Sequence, residues 1–409
     1  MGHSLFFDGF LGRRLHLGVT GSVAAYRMAD LARELMRHNV AVSATLTEAA
    51  CRFVAPLTFR ALGVDPVGSG MFDPDPDVGP FAHLAPGRTA HALLVAPASA
   101  DMLAKMAHGL ADDLLSCQAL AFSGPILAAP AMNPAMWAAA ATRANVAVLR
   151  ERGVEFIGPD TGGVACGDTG AGRLAPMDHI LACALRALAP KDMAGLRVLV
   201  TLGPTREGFD AVRFWSNPSS GRMGACLAAA AWLRGADVTA VCGPGAPGLP
   251  PGVDRVDVTS ARQMFEAVTG LWPGMNAAAL VAAVADFRPV PWGAGKMPKT
   301  EVGEAGLTVR FEANPDILRA LGQAKGPGQK LLGFAAQAGD DDLEARAREK
   351  LAAKRLDLMA ANRIDRPGTG FGSPDNEMLV LDAQGLSERW PVLPKPEVAW
   401  RLWDHLLKL

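Results

Sequence analysis

Hydrophobic and polar residues follow two recurring patterns along this chain. Short apolar runs, such as 14–20, 40–46 and 92–99, are typical of buried strands. Between them, as in 21–38, apolar residues recur every three or four positions, which predicts amphipathic helices. Strands that alternate with helices favour a parallel sheet covered by helices on both faces. We therefore expect an α/β fold with a doubly wound parallel sheet.

The alternation of strands and helices starts again halfway along the chain. A strand predicted at 197–203 and a helix predicted at 219–236 repeat the pattern seen at the beginning. A chain of 409 residues is long enough for two or three domains. We therefore predict two α/β domains, residues 1–190 and 191–409, the second with a Rossmann-like sheet of its own.

Composition and charge limit the classes of function. The chain has 40 Lys and Arg residues against 41 Asp and Glu residues, and it lacks the dense basic stripe that nucleic acid binding needs. Its longest run of apolar residues and glycine, 223–233, is shorter than the roughly 20 residues of a membrane span. None of the cysteines forms a CxxC pair, which favours reduced thiols. These features predict a cytoplasmic protein that binds neither nucleic acid nor membrane.

Three loops in the first half combine residues that ordinary loops rarely need. Gly21 and Ser22 form a turn suited to a phosphate at a helix N-terminus, although a plain capped helix would have the same sequence. Asn133 follows a buried strand and can offer its amide to a carboxylate. Cys166 lies among the glycines of 161–175. That setting favours a thiol on a flexible flap over a buried structural cysteine.

These loops, together with His83 and the segment 96–115, resemble the flavin-dependent cysteine decarboxylases of coenzyme A biosynthesis over residues 14–185. The resemblance implies a flavodoxin-like fold with FMN, which oxidises the substrate thiol and so lets the carboxylate leave as CO2. It implies that His83 faces flavin and substrate, that Asn133 holds the substrate carboxylate, and that Cys166 donates a proton to the enethiol intermediate. It also implies FMN contacts for Gly21, Ser22, Thr47 and Ser99.

The second half places polar residues at the ends of predicted strands. The turn 219–221 opens a helix and is suited to an anion. Asp286 follows a buried strand, and Lys350 and Lys354 share one helix face. An acidic residue with several lysines is a fair set for nucleotide phosphates and Mg2+, whereas surface charge remains the simpler interpretation of any one lysine.

These segments resemble phosphopantothenate–cysteine ligase over about 197–390. The resemblance implies that CTP activates the carboxylate of 4′-phosphopantothenate as an acyl cytidylate, with release of pyrophosphate, before the amine of cysteine attacks. It implies that Asn217 engages the acyl intermediate and that Lys296 neutralises charge. The residues implied to hold CTP and its Mg2+ are Asp286 (as the metal ligand), Lys296, Asn314, Pro315, Asp316, Ile317, Phe334, Lys350 and Lys354.

Four residues depart from the usual pattern of these families. In the first half Asp101 stands where Asn is usual, and His91 stands where Asp is usual. We expect Asp101 to bring an additional negative charge near the flavin. In the second half Pro298 replaces a lysine and Gln337 replaces a glutamate, and Gln337 could shift the affinity for metal or nucleotide.

The two resemblances follow each other in the order of the fused bacterial enzyme, whose ligase product is the substrate of its decarboxylase. We therefore expect both activities in one chain, and a homo-oligomer that is a dodecamer by family analogy. One alternative is another flavin enzyme of this fold, such as a flavin prenyltransferase or a peptidyl-cysteine decarboxylase. The other is a non-catalytic regulatory homologue. The ligase-like half argues against the first, and the presence of His83, Cys166 and Lys296 argues against the second.

Overall fold

The computed structural model divides into two compact units. The first comprises Asp8–Ala189, and the second comprises Pro190–Leu409 with the described residues that precede Asp8. No helix in the described part of the chain is long and apolar enough to cross a membrane. The described residues are 5–72, 81–293, 295–298, 306–337, 343–363, 370 and 372–409.

The first unit contains a parallel sheet and a separate antiparallel hairpin. In chain order, its strands are β1 (Arg14–Val19), β2 (Ala41–Leu46), β3 (Val67–Gly68), β4 (Ala92–Ala98), β5 (Ile126–Pro130), β6 (Glu155–Phe156), β7 (Asp160–Gly163) and β8 (Thr169–Arg173). The sheet has the order β3-β2-β1-β4-β5-β6, and β7 pairs with β8. This confirms the doubly wound parallel sheet, with its switch point between β1 and β4, where such sheets bind ligands.

Helices cover the first sheet because their apolar positions fall on one side. In α1, the residues Met28, Leu31 and Leu35 are buried, as the spacing of three to four positions predicts. A short 3-10 helix (Val23–Arg27) leads into α1. The helices of this unit are α1 (Met28–Arg37), α2 (Glu48–Cys51), α3 (Pro56–Ala61), α4 (Ala85–Thr89), α5 (Ala100–His108), α6 (Leu114–Ala121), α7 (Pro134–Ala138), α8 (Ala140–Glu151) and α9 (Met177–Leu188).

The second unit repeats the strand order of the first and extends it. Its strands are β9 (Arg197–Leu202), β10 (Arg206–Gly208), β11 (Phe214–Ser216), β12 (Asp237–Cys242), β13 (Asp254–Asp257), β14 (Ala277–Leu280), β15 (Phe287–Pro289), β16 (Phe311–Ala313), β17 (Lys330–Gln337), β18 (Leu358–Arg363), β19 (Asp375–Asp382) and β20 (Ser387–Pro394). The main sheet has the order β13-β12-β9-β14-β17-β18-β19-β20. Its last two pairings are antiparallel. The switch point lies between β9 and β14, as a Rossmann-like sheet requires.

The long apolar run 223–233 is a buried helix of this unit. All its residues lie in α10 and are buried, which is typical of a helix hydrophobic on every side. Gly224 allows the close approach to the sheet, since a Cβ there would lie 2.5 Å from the Cβ of Leu202. A 3-10 turn (Trp272–Gly274) follows α11. The helices are α10 (Arg222–Leu233), α11 (Ala261–Leu271), α12 (Ile317–Ala324), α13 (Leu343–Ala353) and α14 (Lys395–Lys408).

Candidate functional sites

Three of the residues predicted to contact FMN cap helices at neighbouring strand ends. Ser22, Thr47 and Ser99 follow β1, β2 and β4, and each side-chain oxygen accepts a backbone N–H from the next helix. The nitrogen–oxygen distances are 3.4, 3.2 and 3.2 Å. Because these strands are neighbours at the switch point, the helix N-termini converge there and favour an anionic group.

Close packing joins the loops at this edge of the sheet. A Cβ on Gly21 would lie 2.5 Å from the Cβ of Ala49, so only glycine lets the loop after β1 come this near to α2. The buried hydroxyl of Thr20 donates to the carbonyl of Pro97 at 2.6 Å and accepts from the backbone N–H of Ser99 at 2.9 Å. Thr20 therefore connects the ends of β1 and β4, a role that the sequence analysis did not assign to it.

The turn between β7 and β8 brings Cys166 to Asn133. Asn133 Nδ2 donates to Cys166 Sγ at 3.3 Å and to Asp168 Oδ2 at 2.6 Å. The thiol of Cys166 in turn donates to Asp168 Oδ2 at 3.5 Å. The structure thus joins two side chains that the sequence analysis selected. It adds Asp168, which was missed although it lies only two residues beyond the cysteine.

Asn133 is oriented by the helix that it caps. Its Oδ1 accepts the backbone N–H of Ala135 at 2.8 Å, at the start of α7. With the oxygen engaged there, the amide nitrogen points to the hairpin. The backbone N–H of Met132 donates to the carbonyl of Gly172 at 2.9 Å. This bond docks β8 against the loop that carries Asn133, so the contact with Cys166 depends on the hairpin position.

Gly172→Ala is expected to separate Cys166 from Asn133. Gly172 has φ +147, and a Cβ there would lie 2.5 Å from the carbonyl oxygen of Met132, so the hairpin must shift. We expect decarboxylation to fall about 10-fold or more, measured with the substrate supplied directly. Gly163→Ala, in the same hairpin, meets no atom within 4 Å and is the control. Equal rates for the two variants would contradict the role of hairpin docking.

His83 lies in a turn before α4 and is half-buried. Its ring centroid is 6.4 Å from that of Phe81, with the two rings inclined at 69°. Among the hydrogen bonds of the described residues, none joins His83 to Asn133 or Cys166. The structure therefore places His83 on a separate segment, and it does not join all three predicted catalytic side chains.

Asp101 is paired within its own helix. It lies in the first turn of α5, with its side chain 73% exposed and a carboxylate oxygen 3.4 Å from Lys105 Nζ. Lys105 also contacts Asp112 and Asp113 at 3.1 and 3.0 Å. Burial opposes the charge of Lys105, but the hydrogen bonds to Asp113 and Asp112 outweigh it and raise its pKa. Lys105 thus offsets only part of the negative charge that Asp101 adds, because Asp112 and Asp113 share the same lysine.

His91, the other departure in the first half, lies away from this edge. Its Nδ1 accepts the backbone N–H of Arg14 at 3.1 Å. Arg14 is the first residue of β1, so the contact is at the amino end of the sheet. Ligands of doubly wound sheets bind at the opposite, carboxyl end, and His91 is therefore structural here.

A cavity of about 420 Å3 opens at the carboxyl edge of the second sheet. It includes residues that follow β14 and others that start α10 and α12. The predicted residues that line it are Asn217, Asp286, Asn314, Pro315, Asp316, Ile317, Phe334, Lys350 and Lys354. Segments far apart in the sequence thus converge on one cavity.

Hydrogen bonds fix the wall of this cavity at Asn314 and Asp316. Asn314 Nδ2 donates to the carbonyl of Ala285 at 2.8 Å, which ties the residues before α12 to those after β14. Asp316 caps α12, and Lys354 Nζ lies 3.1 Å from its carboxylate. Lys354 is therefore partly neutralised by Asp316, whereas Lys350, one turn earlier on α13, is exposed at the cavity.

The cavity is also lined by a lysine, Lys395, that the sequence analysis missed. Lys395 is 3% exposed, and its Nζ donates to the carbonyls of Gly370 and Ser373 at 3.0 and 2.5 Å. Burial lowers its pKa. Asn376, on β19, also lines the cavity. Asn376 lies in β19 and Lys395 is the first residue of α14, near the end of the sequence. The local sequence therefore gave no signal that they reach the cavity.

A second pocket of about 500 Å3 shares one wall with the first. Both are lined by Asn217, Ala285 and Asp286. Aromatic residues line the rest, and the rings of Trp215 and Phe311 lie 5.0 Å apart, edge to face. Asn217 Nδ2 donates to the carbonyl of Val284 at 3.1 Å. This bond fixes the amide at the border between a polar cavity and an aromatic one.

Lys296 lies outside the lining of both cavities. It is exposed, and its neighbour Met297 donates its backbone N–H to Asp210 Oδ2 at 3.2 Å. Pro298 is also exposed. Gln337 is the last residue of β17, and its side chain lies outside the described atoms. The structure thus leaves Lys296 apart from the other predicted ligase residues.

Comparisons with known proteins agree with this two-part architecture. The family model Flavoprotein matches residues 11–189. The model of the DNA/pantothenate metabolism flavoprotein C-terminal domain matches residues 193–409. The coenzyme A biosynthesis bifunctional protein CoaBC of Escherichia coli (strain K12) is 40% identical over 97% of this chain and 97% of its own. That of Bacillus subtilis (strain 168) is 38% identical, with the same 97% coverage of both.

Two solved structures are similar to part of this chain. The C-terminal domain of CoaBC covers 53% of this chain and 97% of its own, with 33% identity and a TM-score of 0.45. The FMN-dependent cysteine decarboxylase SpaF covers 44% of this chain and 100% of its own, with 31% identity and a TM-score of 0.39.

The fold, the sites and the family models define a flavoprotein with a second, Rossmann-like unit. The chain belongs to the CoaBC family and is a bifunctional enzyme of coenzyme A biosynthesis. This confirms the family, the fold class and the combination of decarboxylase and ligase that the sequence predicts.

Proposed function

We propose that residues 191–409 join cysteine to 4′-phosphopantothenate at the expense of CTP, and that residues 1–190 decarboxylate the product to 4′-phosphopantetheine. The observation that supports this proposal is the convergence of distant residues on one site in each unit. Asn133 meets Cys166 in the first, and the predicted nucleotide residues share one cavity in the second. The product of one unit is the substrate of the other, which accounts for their union in one chain.

In the first unit, we propose that Gly21, Ser22, Thr47 and Ser99 hold FMN. The close packing at Gly21 and the helix N-termini at the switch point suit a flavin phosphate. FMN supplies the reversible oxidation of the substrate thiol that lets the carboxylate leave. His83 faces flavin and substrate.

The cluster around Cys166 supplies the proton that ends the reaction. Asn133 Nδ2, held by the cap on α7, donates to the substrate carboxylate. The thiol of Cys166 gives its proton to the carbon of the enethiol as reduction is completed. Before substrate arrives, Asp168 accepts from both groups. Asp168 thus fixes the thiol as a proton donor.

In the second unit, we propose that CTP occupies the cavity of about 420 Å3. The N-terminus of α10 and the exposed Lys350 stabilise its phosphates. In the described ranges, no group of three acidic, histidine or cysteine side chains is arranged to hold a metal. Mg2+ commonly binds through one or two carboxylates and the substrate phosphates, so Asp286 would hold it together with CTP.

Activation and transfer take place where the two pockets meet. We propose that 4′-phosphopantothenate occupies the aromatic pocket and that its carboxylate oxygen attacks the α-phosphate of CTP, so that pyrophosphate leaves. The amine of cysteine then attacks the acyl carbon, and CMP leaves. Asn217, on the shared wall, holds the acyl group. Lys296, which lies on a separate segment, neutralises charge during the reaction. We further propose a homo-oligomer, a dodecamer by family analogy, that works in the cytoplasm.

The proposal is tested by giving the purified chain 4′-phosphopantothenate, cysteine, CTP and Mg2+ and identifying products by mass spectrometry. We expect 4′-phosphopantetheine, CMP, pyrophosphate and CO2. Accumulation of 4′-phosphopantothenoylcysteine would contradict the decarboxylase half. Decarboxylation of supplied 4′-phosphopantothenoylcysteine without any ligation would contradict the ligase half. Replacing CTP by ATP in the same assay tests the choice of nucleotide.

A further inference from the structure

Buried polar side chains run from the centre of the first sheet to the turn that carries His83. His16, in β1, is 3% exposed. Its Nδ1 lies 2.9 Å from Ser43 Oγ. Its Nε2 lies 3.1 Å from both Thr45 Oγ1 and Gln118 Oε1. A buried imidazole is costly unless its nitrogens are hydrogen-bonded, and here both are.

Gln118 determines the direction of these hydrogen bonds. Its Nε2 donates to the carbonyl oxygen of Ala82 at 3.1 Å, so its Oε1 faces His16. An amide oxygen only accepts, which means that His16 Nε2 carries the hydrogen and Nδ1 accepts from Ser43. Burial lowers the pKa of His16 to about 4. The imidazole is therefore neutral near pH 7, as this pattern requires.

The hydrogen bond from Gln118 anchors a turn to a rigid part of the fold. Ala82 immediately precedes His83, and within the turn the backbone N–H of Leu84 donates to the carbonyl of Phe81 at 2.8 Å. Gln118 is 4% exposed and belongs to α6. A helix that packs against the sheet is a firmer support than a loop. The position of the His83 backbone thus depends on the amide of Gln118.

We propose that Gln118 is a positioning residue for decarboxylation. Its amide fixes the backbone at Ala82 and thereby aims the imidazole of His83 at flavin and substrate, while His16 holds that amide in the required orientation. The inference rests on the role proposed above for His83. This role gives a reason for a buried polar network at a place in the core that apolar side chains could fill without any hydrogen bonds.

The first test is Gln118→Met, which has similar volume but makes neither hydrogen bond. With 4′-phosphopantothenoylcysteine supplied, we expect kcat to fall about 10-fold, because small misplacements of a reacting group are costly. KM should change less than about 2-fold, and the amount of FMN bound per chain should be unchanged. Ser43→Ala is the matched control: it removes the bond on the other side of His16 and leaves that from Gln118 to Ala82. We expect it to keep kcat within about 2-fold of the unmodified chain.

A double-mutant cycle separates positioning from general destabilisation. If Gln118 acts through His83, Gln118→Met should lower kcat by less than about 2-fold in a His83→Asn background. A merely structural role would lower the rate equally in both backgrounds. Additive losses would therefore overturn the inference.

Gln118→Glu provides a second variant if Gln118→Met does not fold. A protonated carboxyl group can donate to Ala82 and accept from His16, as the amide does, whereas the ionised group has lost the donor. His16, which contacts this position, is itself titratable. We expect kcat relative to the unmodified chain to fall as pH rises and the carboxyl group ionises. If the kcat of Gln118→Glu equalled that of the unmodified chain at every pH, the inference would be overturned.

His83→Asn alone distinguishes this inference from the proposed function. Full activity of His83→Asn would contradict the role of His83 and the inference with it. An impaired His83→Asn beside a fully active Gln118→Met would overturn the inference alone.

Discussion

Cys166→Ala is expected to stop the formation of 4′-phosphopantetheine and leave FMN bound. We propose this thiol, next to Asn133, as the proton donor, and removing a positioned general acid costs about 10²- to 10⁴-fold in rate. Because CO2 leaves before this proton is delivered, the dehydrogenated enethiol should accumulate. The measurement is mass spectrometry of the products from supplied 4′-phosphopantothenoylcysteine, together with the absorption spectrum of the flavin.

Cys117→Ser is the control for this prediction. Cys117 lies on α6, and its thiol donates to the carbonyl of Ala111 at 3.3 Å, away from the hairpin. We expect it to form 4′-phosphopantetheine at the rate of the unmodified chain. If Cys166→Ala did the same, the thiol would not be the proton donor. No greater accumulation of the enethiol in Cys166→Ala than in the control would lead to the same conclusion.

The fold class could be predicted from the sequence because the apolar residues of strands and helices recur at regular intervals. Strands such as β4, with every residue buried, and amphipathic helices such as α1 show their burial in the spacing of apolar residues. The run 223–233 shows the limit of that signal. Its hydrophobicity indicates burial, but only the structure shows that Gly224 brings this helix against the sheet.

Candidate site residues could be selected from the sequence where the loop around each of them has an unusual composition. Asn133 and Cys166 lie in unusual segments, and the structure brings them together. Thr20, Gln118 and Lys395 were missed because each acts through a partner distant in the sequence: Ser99, Ala82 and Gly370. Residue type and local spacing do not report such contacts. A buried glutamine in a helix is therefore recognised only after its neighbours are known.

Two sequence interpretations also depended on neighbours that a motif does not specify. Asp101 suggested a charge facing the flavin, yet Lys105, one helical turn away, pairs with it at 3.4 Å. Lys354 was predicted as one member of a set that holds CTP, and Asp316 lies 3.1 Å from it. Lys354 therefore brings less positive charge than the motif implies, and Lys350 keeps the larger part of it. Lys105, in contrast, is shared by Asp101, Asp112 and Asp113.

Asn217→Asp is expected to remove most of the ligase activity. The two side chains have nearly the same shape, but a carboxylate cannot donate to the carbonyl of Val284 as the amide does at 3.1 Å. It also adds a negative charge at the shared wall, where we propose that the carboxylate of 4′-phosphopantothenate meets CTP. Losing one such donor in an active site costs about 10²- to 10³-fold in rate. Pyrophosphate release with 4′-phosphopantothenate, CTP and Mg2+ measures the effect.

Asn276→Asp is the matched control, since it adds the same charge elsewhere in the same unit. The side-chain oxygen of Asn276 accepts the backbone N–H of Arg197 at 2.8 Å, at the amino ends of β9 and β14, and an aspartate keeps that bond. Decarboxylation of supplied 4′-phosphopantothenoylcysteine should be unchanged in both variants. Equal pyrophosphate release from the two would show that the charge at the shared wall is irrelevant. A loss confined to Asn217→Asp would support activation of the carboxylate where the two pockets meet.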